Sequence, residues 1–160
     1  YRDLHAFPTR RSSDLEAAFG LLSRGTPGLV ARAEYCGVPC QIRVDWLAPA
    51  CSRFPDNPEE WDTGWIVDLK TCRDTFGFKD ACKRWGYWHQ AAFYQAITEK
   101  VTGECLPYYL ISIEKSEAAM CVVWELDQET LDYHRKENEA KIDEIREEFL
   151  AMQPVKGSKV

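Results

Sequence analysis

The chain has 160 residues, 45% of them hydrophobic, with six Trp and a formal net charge of −6. This length suits one domain with a sizeable core, and no apolar run reaches the ~18 residues that a membrane span needs. The negative charge argues mildly against a nucleic-acid role, since a DNA-binding surface favours the opposite sign, but its distribution softens the objection: residues 127–152 hold nine acids and four bases, residues 70–100 six bases and three acids.

Residues 1–15 stand apart. His5-Ala6-Phe7-Pro8-Thr9-Arg10-Arg11-Ser12-Ser13-Asp14-Leu15 resembles the translation of a common sequencing adapter with one substitution, and it shows no helix or strand periodicity. It is set aside from fold reasoning as a non-native segment. The expected organisation is therefore this segment at 1–15, a single domain at 16–152 whose native form extends further upstream, and a tail at 153–160. Residues 16–23 carry a short helical pattern, broken by Arg24-Gly25-Thr26-Pro27-Gly28. Residues 29–35 and 40–47 read as the strands of a hairpin turning through Cys36-Gly37-Val38-Pro39. Residues 48–63, rich in Pro, Asp and Asn, read as a loop, with Trp61 and its acids set either to touch a ligand or to cover the core.

Residues 64–70 form a nearly continuous apolar run, the mark of a buried central strand. Residues 76–101 read as one long helix, stopped by Thr102-Gly103. One stripe of it holds Cys82, Trp85, Trp88 or His89, Ala92 and Ala96, and another Lys83, Tyr87, Gln90 and Tyr94. Residues 106–113 and 118–126 supply two more strands, and Asp127 caps a last helix running to about Met152. The order predicts an α/β fold, a mixed central sheet of about five strands flanked by helices. The seven Cys are odd in number, follow no visible secretory signal and form no CxxC pair. Cys36 and Cys40 lack the partners of a zinc set. Free thiols in a reducing cytoplasm are expected.

The chemistry begins at Asp68-Leu69-Lys70. In a strand, residues two apart point to the same side, so Asp68 and Lys70 stand together while Leu69 faces the other way, into the core. Charges in a buried strand need a reason. Either they form an internal salt bridge, or the carboxylate holds a hard cation and the ammonium orders a water. Asp45 lies late in the preceding apolar strand. Two carboxylates converging in a sheet repel unless protonated or bridged by metal. Mg²⁺ prefers oxygen ligands, and the backbone carbonyl of Leu69 offers one more. Gln90 and Tyr94, four apart, share a helix face, and a Gln there wants partners.

Asp45, then Asp68-x-Lys70, then Gln90-x-x-x-Tyr94 is an ordered series. With Cys40-Gln41-Ile42-Arg43-Val44-Asp45, Trp65-Ile66-Val67-Asp68-Leu69-Lys70-Thr71 and Gly86-Tyr87-Trp88-His89-Gln90-Ala91-Ala92-Phe93-Tyr94, residues 29–126 resemble the PD-(D/E)xK nuclease superfamily in its RecB-like branch. Within it they are most similar to RecE-type exonucleases (exodeoxyribonuclease VIII) and related phage domains. The resemblance implies a restriction-endonuclease-like core and hydrolysis of duplex DNA ends with Mg²⁺, Mn²⁺ being a substitute. It further implies a phage or prophage recombination setting, a single-strand annealing protein as partner, and a homo-oligomer. Carried over by position, Asp45 and Asp68 are metal ligands with the Leu69 carbonyl, and Glu34 is a further candidate ligand. Lys70 orients or deprotonates the attacking water, Gln90 supports the site, Tyr94 lies behind it, and Thr71 fixes the strand end or contacts phosphate.

Two departures stand out. The 23 positions from Asp45 to Asp68 exceed the family's usual connection, and the upstream-helix His of RecE-type enzymes has no counterpart except His5, inside the adapter-like segment. His89 does not replace it and reads as a packing or surface histidine. Other readings stay open: a DNA-binding or assembly module with impaired catalysis, or an iron–sulfur, CRISPR-associated nuclease type. The latter predicts one Cys upstream and three clustered near the C-terminus, which Cys105 and Cys121 alone do not supply. A plain binding domain, with Asp68 and Lys70 as a salt bridge, is the remaining class.

Overall fold

The structure, a computed structural model, describes residues 12–52, 61–117 and 119–152. In chain order it runs α1 (Ser12–Leu22), β1 (Thr26–Pro27), β2 (Val30–Tyr35), β3 (Val38–Arg43), β4 (Trp46–Ala48), β5 (Cys51–Ser52), β6 (Trp61–Asp62), β7 (Trp65–Cys72), α2 (Phe78–Trp85), α3 (Tyr87–Thr102), β8 (Tyr108–Glu114), β9 (Cys121–Leu126) and α4 (Gln128–Met152). The main sheet has the order β1-β4-β7-β8-β9. β7 and β8 are parallel and the other pairs antiparallel. A parallel pair needs a long crossover, and α2 and α3 provide it. This is the mixed five-stranded α/β sheet of a restriction-endonuclease-like fold.

β7 is central because both its faces are covered. On one side Ile66, Tyr108, Leu110, Trp124 and Leu126 pack with Phe78, Cys82, Trp88 and the small side chains Ala92 and Ala96. On the other, Val67 and Ile111 pack with Ala18 of α1. Ala91, Ala92 and Ala96 are fully buried, and their size lets α3 lie close to the sheet. α4 covers the outer side of α3 through Leu131 and Ile142. Among the described residues, no helix is long and apolar enough to cross a membrane. α1 begins at Ser12, so its first turn falls within the segment set aside above, and its Asp14 is buried.

Several boundaries differ from expectation. The strand expected over 40–47 is two strands in two sheets: β3 pairs only with β2, whereas β4 pairs with β1 and β7. The chain changes sheet at Val44-Asp45, so Asp45 sits in a bend and not late in a strand. The expected hairpin therefore lies outside the main sheet. Its place is taken by β1, two residues of the segment read as a breaker, and by the short β4. The expected loop 48–63 contains the small pair β5–β6; residues 53–60 lie outside the described residues.

The expected helix 76–101 is divided at Gly86. That residue has φ 67 and ψ 32, and its N–H bonds back to the carbonyls of Cys82 and Lys83. A left-handed joint of this kind suits glycine, which carries no Cβ to clash. The turn takes Trp85 out of the predicted stripe and leaves it 68% exposed.

Candidate active site

The short pairing of β4 with β7 brings the two aspartates together. Trp46 lies opposite Val67 and Ala48 opposite Trp65, so the next step of the ladder sets Asp45 against Asp68. Residues so opposed have Cβ atoms about 5 Å apart. The close approach depends on Gly64, where a Cβ would stand 2.6 Å from the Ala48 carbonyl oxygen. Asp45 is exposed, and its Oδ2 accepts a hydrogen bond from the Leu69 N–H at 2.9 Å. A strand residue turns its N–H and C=O to the same edge. The Leu69 carbonyl therefore points to the Asp45 side, beyond the end of β4.

Asp68 is 4% exposed. Lys70 Nζ lies 2.7 Å from Asp68 Oδ2 as an ion pair, and that buried oxygen has no other hydrogen-bond partner among the described residues. The ammonium also donates to Gln90 Oε1 at 2.9 Å and rests 4.6 Å from the centre of the Tyr87 ring. Lys has only donors, so the Gln90 amide must present its oxygen. This accounts for a Gln on α3, and the glycine joint before it sets where α3 starts.

One ammonium faces two carboxyl groups. Burial first, and then the neighbouring Asp45 carboxyl, push Asp68 up to about 7, against the opposing pull of Lys70. Below the site lie two buried thiols, Cys72 and Cys82. Burial pushes Cys82 up to about 12, with Lys70 drawing it down and Asp68 and Cys72 adding to the rise.

Not every expected residue joins this cluster. Leu69, expected in the core, is 41% exposed, because its face of the sheet is covered by α1 only further back along β7. Thr71 is exposed and shares that opposite face by strand alternation. Glu34 is exposed and sits beside the hairpin turn, paired with Pro39. The Asp45 end of the hairpin is marked by Val44, whose N–H bonds to Leu29 O. Glu34 lies five positions beyond Leu29, roughly 16 Å along a strand, too far to share a cation with Asp45. Tyr94 is half-buried and packs on the core. His89 is an exposed histidine on α3 that meets α4.

Tyr108 was not foreseen. It is fully buried, its hydroxyl has no hydrogen-bond partner among the described residues, and it pairs with Ile66, two residues before Asp68 on the same face. Burial raises its pKa well above the ordinary value, and Asp68, Tyr94 and Asp45 raise it further. Nothing in Tyr108-Tyr109 tells which ring faces the aspartates until the β7–β8 register is known. Tyr108→Phe is expected to raise the stability of chelator-treated protein by about 1 kcal/mol, since it removes an unsatisfied buried group. Urea unfolding measures this, and a loss of stability would show that the hydroxyl has a native partner.

The donor set fits a hard divalent cation. It consists of two carboxylates and a backbone carbonyl, without sulfur or imidazole, and it includes a buried carboxylate oxygen lacking a hydrogen bond. Such oxygen sets suit Mg²⁺ or Mn²⁺. Asp45, Asp68 and the Leu69 carbonyl would hold the ion.

The fold is similar to that of a crystal structure from Eubacterium rectale, named "Putative exonuclease", with a TM-score of 0.59 and 21% identity. The similarity covers 81% of this chain and 48% of that one, so the chain spans about half the length of that relative. No curated protein matches the chain. Residues 10–151 match the family described as "PDDEXK-like domain of unknown function (DUF3799)", and over that span the chain belongs to this PDDEXK-like family.

Proposed function

We propose that the protein is a divalent-metal-dependent deoxyribonuclease that degrades duplex DNA from its ends, as RecE-type exonucleases do. The observation that carries this reading is the convergence of Asp45, Asp68 and Lys70 at the open end of β4, with Gln90 holding the ammonium. Bound there, a Mg²⁺ ion would supply water of lowered pKa and offset charge on the phosphate. The side chains account for the rest. Lys70 Nζ, fixed by Gln90 Oε1, can present a further ammonium proton to a water or a non-bridging phosphate oxygen. The Asp45 carboxylate, anchored on the Leu69 N–H, keeps the second carboxyl in place. Lys83 and Arg84, exposed bases on α2, are the proposed contacts to the phosphate backbone.

The same reading places the protein in phage or prophage recombination beside a single-strand annealing protein, as a homo-oligomer in the cytoplasm. Supporting it are the ordered motifs at residues 45, 68–70 and 90–94. Among the described residues no set of cysteines gathers as the iron–sulfur reading needs. Cys36 and Cys40 flank the hairpin turn, Cys72 and Cys82 lie under Lys70, Cys105 is exposed, and Cys121 packs on the α1 side.

The deciding assay compares linear and covalently closed duplex DNA in Mg²⁺, with Asp68→Ala as control. Linear DNA is expected to shorten from its ends while circles persist, and the variant is expected to leave both intact. Cutting of circles at an equal rate would make the enzyme an endonuclease. Tight DNA binding without any cleavage would leave only the binding-module reading.

A further inference from the structure

One residue before Gln90, on the side of α3 turned to α4, His89 meets His134 and Glu137. His134 Nδ1 lies 3.0 Å from Glu137 Oε2 and His89 Nε2 lies 3.7 Å from the same oxygen. The two imidazole rings stand edge to face with centroids 4.5 Å apart. One donor atom from each residue falls within 4.8 Å of the other two. We propose that His89, His134 and Glu137 form a second metal site, of a different class from the carboxylate site, that takes a borderline transition-metal ion such as Zn²⁺.

The donor chemistry selects the ion. Two imidazole nitrogens and one carboxylate suit Zn²⁺, Co²⁺ or Ni²⁺ and not Mg²⁺. Ligands about 2.0–2.2 Å from a tetrahedral zinc lie roughly 3.3 Å from one another. The two spacings to Glu137, 3.0 and 3.7 Å, bracket that value, and the third, between the two imidazoles, is within 4.8 Å.

The surroundings prepare the ligands. Asn138 Nδ2 donates to the His89 backbone carbonyl at 2.8 Å. A carbonyl only accepts, so the amide is fixed with Oδ1 facing His89 Nδ1 at 3.1 Å. In the neutral ring Nδ1 therefore carries the proton, which leaves Nε2, facing Glu137, as the nitrogen that can bind an ion. This is the outer contact by which proteins orient a metal-binding histidine. Tyr133 donates to Glu137 Oε1 at 3.0 Å, leaving Oε2 to the ion. In the metal-free protein the Nδ1 proton of His134 bridges to Glu137; the ion would take that proton's place. The three ligands come from two helices, His89 from α3 and the other two, a helical turn apart, from α4. A fourth position faces solvent, as His89 and Glu137 are exposed. Bound metal would clamp α4 to α3 next to Gln90.

The test is calorimetric titration of metal-free protein with Zn²⁺ in saturating Mg²⁺, followed by Co²⁺ titration read by visible absorption. One Zn²⁺ per chain is expected, with a tetrahedral or five-coordinate Co²⁺ spectrum. His89→Gln and His134→Gln should each weaken binding by at least ~10–100-fold, the cost of losing even an outer contact, and Asn138→Ala by a smaller factor. Asp68→Asn should bind Zn²⁺ as the parent does. Zn²⁺ should also raise the thermal midpoint of the parent and not that of the double His variant. The proposal is overturned if the double variant keeps the parent's affinity, if Asp68→Asn loses it, or if no Zn²⁺ binds. None of these readouts depends on DNA cleavage.

Discussion

Lys70→Ala is expected to lower the rate of DNA end degradation by about 10²–10⁴-fold at saturating Mg²⁺, the range for loss of a proton-transfer group or of one preorganised charge. The ammonium is positioned on three sides, by Asp68 Oδ2, the Gln90 amide oxygen and the face of Tyr87. Its side chain is only 14% exposed. An Ala at 70 leaves the amide oxygen facing no donor and Asp68 facing Asp45 without an intervening charge. Lys70→Arg is not expected to rescue the rate, because a planar fork cannot occupy a pocket shaped for a point charge. Single-turnover cleavage of a linear duplex measures the effect. A Lys70→Ala rate equal to the parent's would remove Lys70 from the chemistry.

Asp68→Asn is expected to stabilise the metal-free protein at pH 8 while abolishing its cleavage. Asp68 has a folded-state pKa of about 7 against an ordinary value of 3.8. Between those values the folded chain keeps a proton that the unfolded chain has lost, so stability falls as pH rises from about 4 to about 7 and stays low above it. The gap corresponds to roughly 4 kcal/mol as a ceiling. The variant also deprives Lys70 of its counter-ion, which brings the expected gain down to about 1–3 kcal/mol. Urea unfolding in chelator at pH 5 and pH 8 tests this: the two proteins should differ little at the lower pH and clearly at the higher. Mg²⁺ should then restore stability to the parent and not to the variant, since a ligand stabilises only the state that binds it. An Asp68→Asn protein less stable than the parent at pH 8 would show that the aspartate is a structural ion-pair partner.

Much of this site is readable in one dimension. β7 is an apolar run long enough to be central, and alternation alone sets Asp68 beside Lys70. The four-residue spacing of Gln90 and Tyr94 sets them on one helix face. Asp45 illustrates the limit. The apolar pattern continues through Ile42, Val44 and Trp46 while the pairing partner changes, because hydrophobic periodicity reports burial and not which sheet does the burying. Leu69 illustrates another: alternation gives its side of the sheet, but only the reach of α1 decides whether that side is covered. Gly86 looks like a tolerated helix glycine until its positive φ is seen. Tyr108 and the His89, His134 and Glu137 group depend on register and helix pairing across long stretches of chain, which local pattern does not encode.

The packing of α4 against α3 also has an electrostatic consequence. Residues 127–152 place nine acids against four bases on one flank, while the site lies in the stretch that contains basic α2. On the nuclease reading proposed above, a polyanion near α4 would be repelled within about one Debye length, ~10 Å in ordinary buffer, and one near α2 would be attracted. The acidic helix would then act as a guide by exclusion, thinning misoriented encounters in favour of those that face Lys70.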